Sequence, residues 1–117
     1  MKKKHMHELS IAVNIVEIAE EEAKRAGVGE VLEITLEIGS LSGIVREALE
    51  FALGEAKKDS VLQNSEIKIT EIKAMAKCSS CGNEFEAREV YDPCTKCDNP
   101  FSDIISGKDL VVRSIVI

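Results

Sequence analysis

The chain has 117 residues, 44% of them hydrophobic, with three Phe, one Tyr and no Trp, and it carries a formal net charge of −6. This length is enough for one compact unit with a small appendage, and the core must be built from aliphatic side chains. The acidic balance argues against a nucleic-acid partner, because phosphate contacts require a basic surface.

Export and membrane association are also disfavoured. The basic run at residues 2–4 is followed by charged and polar residues rather than by the apolar h-region of a signal peptide. No apolar run approaches the roughly 20 residues that a membrane span needs. We therefore expect a cytoplasmic protein with no membrane partner.

The first predicted element is an amphipathic helix over residues 9–26. Its apolar residues recur in steps of three and four, which places them on one face. Gly27 follows as a left-handed stop, and Lys24 and Arg25 occupy the last turn, where the helix dipole favours cations.

A strand and a second helix come next. Apolar and polar residues alternate over residues 32–38, as in a half-buried strand, and Gly39 ends it. Ser42 is the predicted N-cap of the second helix, whose apolar stripe extends from Val45 to Ala56.

Two more strands complete the main unit. Alternation over residues 67–76 predicts one continuous strand, and a β-branched run over residues 110–117 predicts another. The segment between them, residues 77–107, has few large apolar residues, and no internal repeat is recognised. The order predicts an α+β fold: two helices packed on a small three-stranded sheet formed by residues 6–76 plus 108–117, with an inserted module at 77–107.

All four cysteines lie in that inserted module. Cys78 and Cys81 form one CxxC pair, and Cys94 and Cys97 form a second after twelve intervening residues. Each pair can place two thiolates on one metal ion, and a hairpin between the pairs would complete a tetrahedral four-sulfur site. Zinc is the default ion, and iron in a rubredoxin-like electron carrier is the alternative.

Other uses of these cysteines fit less well. Disulfides need an oxidising compartment, and a redox CxxC usually comes singly in a thioredoxin-like unit. A closed four-cysteine site has no open coordination position and is therefore structural. Since no Ser/His/Asp set or phosphate-binding glycine loop is visible, we do not expect an enzyme, and a zinc-ribbon adaptor without transferable metal remains a second alternative.

The N-terminal histidines offer a different kind of ligand. His7 read by itself is a polar residue at a helix start. Read as a ligand, its imidazole suits Ni²⁺ or Cu²⁺, and neighbouring backbone nitrogens can complete a square plane.

Several motifs together give the chain a family resemblance. They are Met6-His7-Glu8-Leu9-Ser10 at the start, the run EIGSLS at residues 37–42, the run EALEFA at residues 47–52, and the paired CxxC. In this combination and order, from Met6 to Ile117, the chain resembles the HypA/HybF family of nickel metallochaperones of [NiFe]-hydrogenase maturation.

The resemblance implies a nickel-binding α/β domain and a zinc-ribbon domain. Nickel would be bound by the side chain of His7 and by backbone nitrogens of Met6 and Glu8, while Glu8's use of its carboxylate is left open. Zinc would be held by Cys78, Cys81, Cys94 and Cys97. The implied partners are the maturation GTPase HypB and the hydrogenase large-subunit precursor; some relatives serve urease maturation, and a homodimer is left open.

Two departures from the family pattern stand out. Thr95 occupies a position that is usually proline in the second CxxC, although the thiolate geometry should survive. Family members begin at the methionine equivalent to Met6, and the pair His5-Met6 is what an NdeI cloning site encodes, so we interpret residues 1–5 as an expression scar.

Overall fold

The computed structural model describes the backbone of residues 2–117 and the side chains of residues 8–117. In chain order its elements are α1 (Lys2–Ala26), β1 (Glu33–Gly39), α2 (Arg46–Ala56), β2 (Glu66–Ile72), β3 (Met75–Cys78), β4 (Glu84–Glu86), β5 (Ser102–Ser106) and β6 (Leu110–Val116). Two helices with small sheets confirm the predicted α+β class. Within the described residues, no helix is long and apolar enough to cross a bilayer.

The strands form two three-stranded sheets, in the orders β2-β1-β6 and β4-β3-β5. The chain divides into two compact units. The first comprises Met1–Leu36, Ile44–Thr70 and Val112–Ile117, and the second comprises Glu37–Gly43 and Glu71–Val111. Each is described separately below.

The first unit contains both helices and an aliphatic core. Helix α1 buries one stripe at three- and four-residue spacing, and β1 buries alternate residues, as the sequence pattern predicts. The buried stripe of α1 is narrower than its apolar pattern predicts, because Leu9, Val13 and Ile18 are exposed. Gly27 takes a positive φ of 73° at the end of α1, which confirms its predicted role as the stop. The most buried hydrophobic residues of this unit are Ala12, Ile15, Ala19, Ala23, Val31, Ile34, Leu36, Leu49, Leu53 and Leu62.

The predicted N-cap of the second helix is wrong. The N-cap is Val45, which has extended backbone angles and no side-chain cap hydrogen bond. Ser42 instead lies in a turn, where its N–H donates to the Gly39 carbonyl at 3.0 Å. The Val45 N–H donates to the carboxylate of Glu8, a residue far away in sequence, so a distant side chain satisfies the N–H of the N-cap residue itself.

The prediction of one continuous strand over residues 67–76 is also wrong, because β2 ends at Ile72 and β3 begins at Met75 in the other sheet. Ser40 forms hydrogen bonds to the chain on both sides of this break. Its N–H donates to the Ile72 carbonyl at 2.8 Å, and its hydroxyl accepts from the Ala74 N–H at 2.9 Å.

Two glycines allow close backbone contacts beside the break between β2 and β3. Gly107 has a φ of 81°, and a Cβ placed on it would collide with the backbone of Ala74. A Cβ on Gly39 would collide in turn with the backbone of Gly107. The three backbones therefore approach more closely than any side chain permits, and this contact fixes the point where the chain changes sheets.

In the second sheet, β3 lies between its two antiparallel neighbours. Ala76 pairs with Phe85 of β4 and with Ile104 of β5, and the pairing with β5 contains an irregularity next to Met75. A small buried cluster lies on this sheet and includes two of the cysteines: Ala76, Cys78, Phe85, Ala87 and Cys94, with Leu41 and Ile104 packed against it.

Candidate metal centre

The two CxxC pairs lie in two loops with the same backbone hydrogen bonds. In the first loop the Cys78 N–H donates to the Asn83 carbonyl at 2.9 Å, and in the second the Cys94 N–H donates to the Asn99 carbonyl at 2.9 Å. The sequences of the two loops, Cys-Ser-Ser-Cys-Gly-Asn and Cys-Thr-Lys-Cys-Asp-Asn, share three positions. These loops, which we call knuckles, form a short repeat that the sequence analysis missed.

The fifth position of each knuckle turns the chain sharply. Gly82 has a φ of 77° and donates its N–H to the Cys78 carbonyl at 3.1 Å. Asp98 has a φ of 63° and donates to the Cys94 carbonyl at 3.0 Å. Glycine adopts this left-handed conformation without cost, and aspartate is among the few other residues that adopt it readily.

The knuckles bring all four sulfur atoms together. Every pair of Sγ atoms lies within 4.8 Å, with Cys78 and Cys97 at 3.6 Å and Cys81 and Cys94 at 3.7 Å. A tetrahedron with metal–sulfur bonds of about 2.3 Å has edges of about 3.8 Å, so the four thiols fit a zinc-sized ion. All four cysteines are free thiols.

Backbone amides point at the first sulfur of each knuckle. The N–H groups of Ser80 and Cys81 donate to Cys78 Sγ, both at 3.4 Å, and the N–H of Lys96 donates to Cys94 Sγ at 3.3 Å. The bond from Cys81 contributes most to lowering the pKa of Cys78 below its ordinary value. Such donors favour the thiolate, which is the form that binds metal.

The pKa values of Cys94 and Cys97 are shifted in opposite directions. For Cys94, burial has the largest effect and raises the pKa, but N–H donors of Cys97, Lys96 and Asn83 together outweigh burial and lower the pKa to about 6. For Cys97, the Asn99 N–H lowers the pKa, but the neighbouring thiols and burial raise it to about 12. Four sulfurs this close do not all ionise unless a cation balances their charge.

The two sides of the sulfur cluster differ in exposure. Cys78 and Cys94 are 3% and 1% exposed and belong to the buried cluster around Phe85, whereas Cys81 and Cys97 are exposed. The first cysteine of each knuckle is therefore anchored in the fold, and the second faces outward. A metal ion here would be bound on its inner side by the buried Cys78 and Cys94 and on its outer side by the exposed Cys81 and Cys97, so it would lie close to the surface.

The predicted nickel ligands are only partly within the described side chains. The side chains of Met6 and His7 lie outside them. Glu8 is within them and is 1% exposed, and its Oε2 accepts from the Val45 N–H at 2.8 Å. Its Oε1 is buried and has no hydrogen-bond partner among the described residues.

Next to Glu8 the first unit has an open apolar groove of about 630 Å³. Phe51 is its most exposed large side chain, at 74%. The groove lies between the start of α1 and one face of α2, and its lining residues are Leu9, Val45, Glu47, Ala48, Phe51, Ala52 and Glu55.

The fold and the sulfur cluster together define a metal-handling protein: two helices with a small sheet, joined in one chain to a four-cysteine ribbon. The sequence profile of the family described as "Hydrogenase/urease nickel incorporation, metallochaperone, hypA" matches residues 6–117. The chain therefore belongs to the HypA family, which confirms the resemblance seen in its motifs. It is a nickel metallochaperone of hydrogenase maturation rather than an enzyme, and it carries a four-cysteine site able to hold a metal ion.

The sequences of individual relatives align with nearly the whole chain. The hydrogenase maturation factor HypA of Parabacteroides distasonis is 45% identical over 112 residues, covering 96% of this chain and 97% of that protein. The protein of the same name from Geobacter metallireducens is 40% identical over 110 residues, covering 94% and 97%.

Solved structures share the fold. The solution structure of the nickel metallochaperone HypA from Helicobacter pylori matches with a TM-score of 0.71 and 21% identity, covering 94% of this chain and 96% of that one. A second solution structure, titled as HypA protein, matches with a TM-score of 0.74 and 23% identity, covering 96% of both chains.

Proposed function

We propose that the chain binds Ni²⁺ at Met6-His7-Glu8 and delivers it to a [NiFe]-hydrogenase precursor, while zinc at the four cysteines has a structural role. In this proposal residues 6–76 plus 108–117 are the nickel-binding domain and residues 77–107 are the zinc ribbon. The observation that supports it best is the family match over residues 6–117, a range that includes both metal-binding motifs.

The nickel ligands would be the imidazole of His7 and the backbone nitrogens of Met6 and Glu8. Imidazole and amide nitrogens are donors that suit square-planar Ni²⁺. The carboxylate of Glu8 is buried and accepts a hydrogen bond from Val45, so it is already engaged within the first unit. This supports a ligand set in which Glu8 contributes its nitrogen and not its side chain.

Binding through backbone nitrogens has a structural requirement. An amide nitrogen bound to nickel has lost its proton and no longer donates a helical hydrogen bond. Helix α1 begins at Lys2, so Met6 and Glu8 lie within it. Nickel uptake would therefore unwind the start of α1 up to Glu8, and release of the ion would let the helix reform.

Zinc is the proposed ion at the cysteines. The spacing of the sulfur atoms and the N–H donors to Cys78 and Cys94 fit four thiolates around a divalent ion. Zinc there would have no open coordination position, so it would hold the two knuckles together without entering the nickel exchange. Iron would fit the same geometry and would make the protein red.

The proposed partners are the GTPase HypB and the hydrogenase large-subunit precursor, with urease maturation factors as a further possibility within the family. A metallochaperone needs a site that is selective yet labile. The proposed nickel site at the end of a helix meets the second requirement, since it forms and disappears with a local helix–coil change.

The test is metal content after purification followed by nickel titration of the wild type, His7→Ala and the matched control His5→Ala. We expect zinc in all three and one Ni²⁺ per chain in the wild type, with affinity reduced at least about tenfold by His7→Ala. The control is expected to retain most of the affinity. Unchanged nickel binding by His7→Ala would show that the assignment of this ligand is wrong.

A further inference from the structure

We infer that Asn83 is a positioning residue of the four-cysteine site, which fixes the second knuckle against the first through hydrogen bonds to Cys94 Sγ and Thr95 Oγ1. This inference rests on the proposed metal binding by the cysteines and adds a residue that the cysteine spacing does not reveal.

The side chain of Asn83 crosses between the two knuckles. It belongs to the first knuckle, where its backbone carbonyl accepts from the Cys78 N–H at 2.9 Å. Its side-chain Nδ2 lies 3.6 Å from Cys94 Sγ and 3.2 Å from Thr95 Oγ1, both in the second knuckle. One half-buried amide therefore joins the two halves of the site without using the metal.

The chemistry of sulfur decides which end of the amide faces Cys94. A metal-bound thiolate only accepts hydrogen bonds, so an amide oxygen in that position would be repelled. The Nδ2 group has two hydrogens, one for the sulfur and one for the threonine hydroxyl. Asn83 is thus oriented by two acceptors, and Cys94 gains a donor in addition to the backbone N–H of Lys96.

The repeat supplies an internal comparison. Asn99 occupies the same position in the second knuckle, but its Oδ1 accepts from the Phe101 N–H at 2.9 Å within its own loop. Asn99 therefore uses its acceptor locally, whereas Asn83 uses its donor across the site. Equal substitutions at the two positions should have unequal effects on the metal.

Thr95 gives this link its second anchor. Its Oγ1 lies 3.2 Å from Asn83 Nδ2 and accepts one of the two amide hydrogens. Removing the hydroxyl leaves the bond from Asn83 to Cys94 in place, so we expect a smaller effect than from changes at Asn83 itself.

The experiment measures zinc release into excess chelator from the full chain. Asn83→Asp replaces the donor with a carboxylate that repels the sulfur, and we expect release at least about tenfold faster than in the wild type. Asn99→Asp adds the same charge but keeps its acceptor, and it is expected to stay within about threefold. Thr95→Val should fall between them.

A spectroscopic measurement separates an effect on sulfur from a general loosening. In the Co²⁺-substituted chain, Asn83→Leu removes the donor to Cys94, so the sulfur becomes more electron-rich. We expect the sulfur-to-cobalt charge-transfer band to move to lower energy in this variant and to remain in place in Asn99→Asp. This shift also supports the proposal if Asn83→Asp fails to retain zinc.

The outcomes distinguish the two levels of inference. A wild-type chain that binds neither Zn²⁺ nor Co²⁺ at its cysteines overturns the proposed site, and the role of Asn83 with it. If the wild-type chain binds metal, either of two results would overturn the role of Asn83 alone. One is zinc release at equal rates from Asn83→Asp and Asn99→Asp, and the other is a charge-transfer band that does not move in Asn83→Leu.

Discussion

The carboxylate of Glu8 accepts a 2.8 Å hydrogen bond from the backbone N–H of Val45, the N-cap residue of α2. A negative charge at this position interacts favourably with the dipole of α2 and satisfies an N–H that has no partner within the helix. The third residue of the Met-His-Glu motif thereby holds two helices of the first unit together. Its side chain serves the fold, and its backbone remains for the proposed nickel site.

Replacing Glu8 by Ala should destabilise the protein, since it leaves the Val45 N–H without its buried partner. We expect a loss of about 1–3 kcal/mol in the free energy of unfolding, measured by chemical denaturation. Glu8→Gln keeps an acceptor oxygen and should lose less. Glu17→Ala, which changes an exposed glutamate of the same helix, is the control and should change stability by less than about 0.5 kcal/mol.

The same variants test the ligand set. If Glu8 binds nickel only through its backbone, Glu8→Gln should retain the wild-type nickel stoichiometry and affinity in a titration. Loss of nickel binding by Glu8→Gln with stability preserved would show instead that the carboxylate is a ligand.

Gly107→Ala should be strongly destabilising. A Cβ there would meet the backbone of Ala74, and alanine disfavours the φ of 81°. We expect a loss of at least about 2 kcal/mol by thermal or chemical denaturation of the metal-loaded chain. Gly29→Ala places a Cβ in open space at an ordinary φ and should be nearly neutral. Equal stabilities of the two variants would contradict the close contact between residue 107 and the backbone of Ala74.

Metal affinity at the cysteines should fall as pH is lowered. The pKa of Cys97 is raised to about 12, so this thiol holds a proton at neutral pH that metal binding must displace. The affinity should therefore drop at least about tenfold per pH unit between about pH 8 and pH 6.5. The pKa of Cys94 is lowered to about 6, so its thiolate persists above that pH and is lost below it, where the decrease should steepen.

Competition with a chelator whose own protonation is corrected for measures this pH dependence. An affinity that does not vary between about pH 8 and pH 6.5 would contradict the assignment of a protonated Cys97.

Removing the metal should unfold the ribbon and spare the helices. The buried cluster beside the cysteines is small, with Phe85 its only large side chain, whereas the first unit has an extended aliphatic core. Hydrogen exchange after chelation should show lost protection at the amides of Cys78 and Ala87 and retained protection in α2. Added zinc should restore the protection of both amides from exchange. Protection that survives chelation would show that the ribbon folds without metal.

Local patterns predicted much of this fold from the sequence. The helical stripe of α1, its stop at Gly27 and the alternation of β1 each depend on neighbouring residues, and each is found in the structure. The grouping of the cysteines follows from the short CxxC spacing, since each knuckle is a local turn.

The features that the sequence did not predict depend on contacts between distant segments. The N-cap residue of α2 is Val45, whose N–H donates to the distant Glu8, and nothing near Ser42 indicates this. The break between β2 and β3 is stabilised by hydrogen bonds to Ser40, which directly follows β1 and is distant in sequence. Asn83 was missed because its partners lie in the other knuckle, and a comparison of the two six-residue repeats was the signal that could have indicated it.

The contact between Ala74 and Gly107 has a consequence for how the chain tolerates change. The chain enters the ribbon at one of these residues and leaves it at the other, so the ends of the intervening loop already meet. Closing that loop is an entropic cost that grows only slowly with its length. Insertions or deletions between these two points leave the spacing of the ends untouched, and the metal-binding segment can therefore change in size while its connection to the rest of the second unit stays the same.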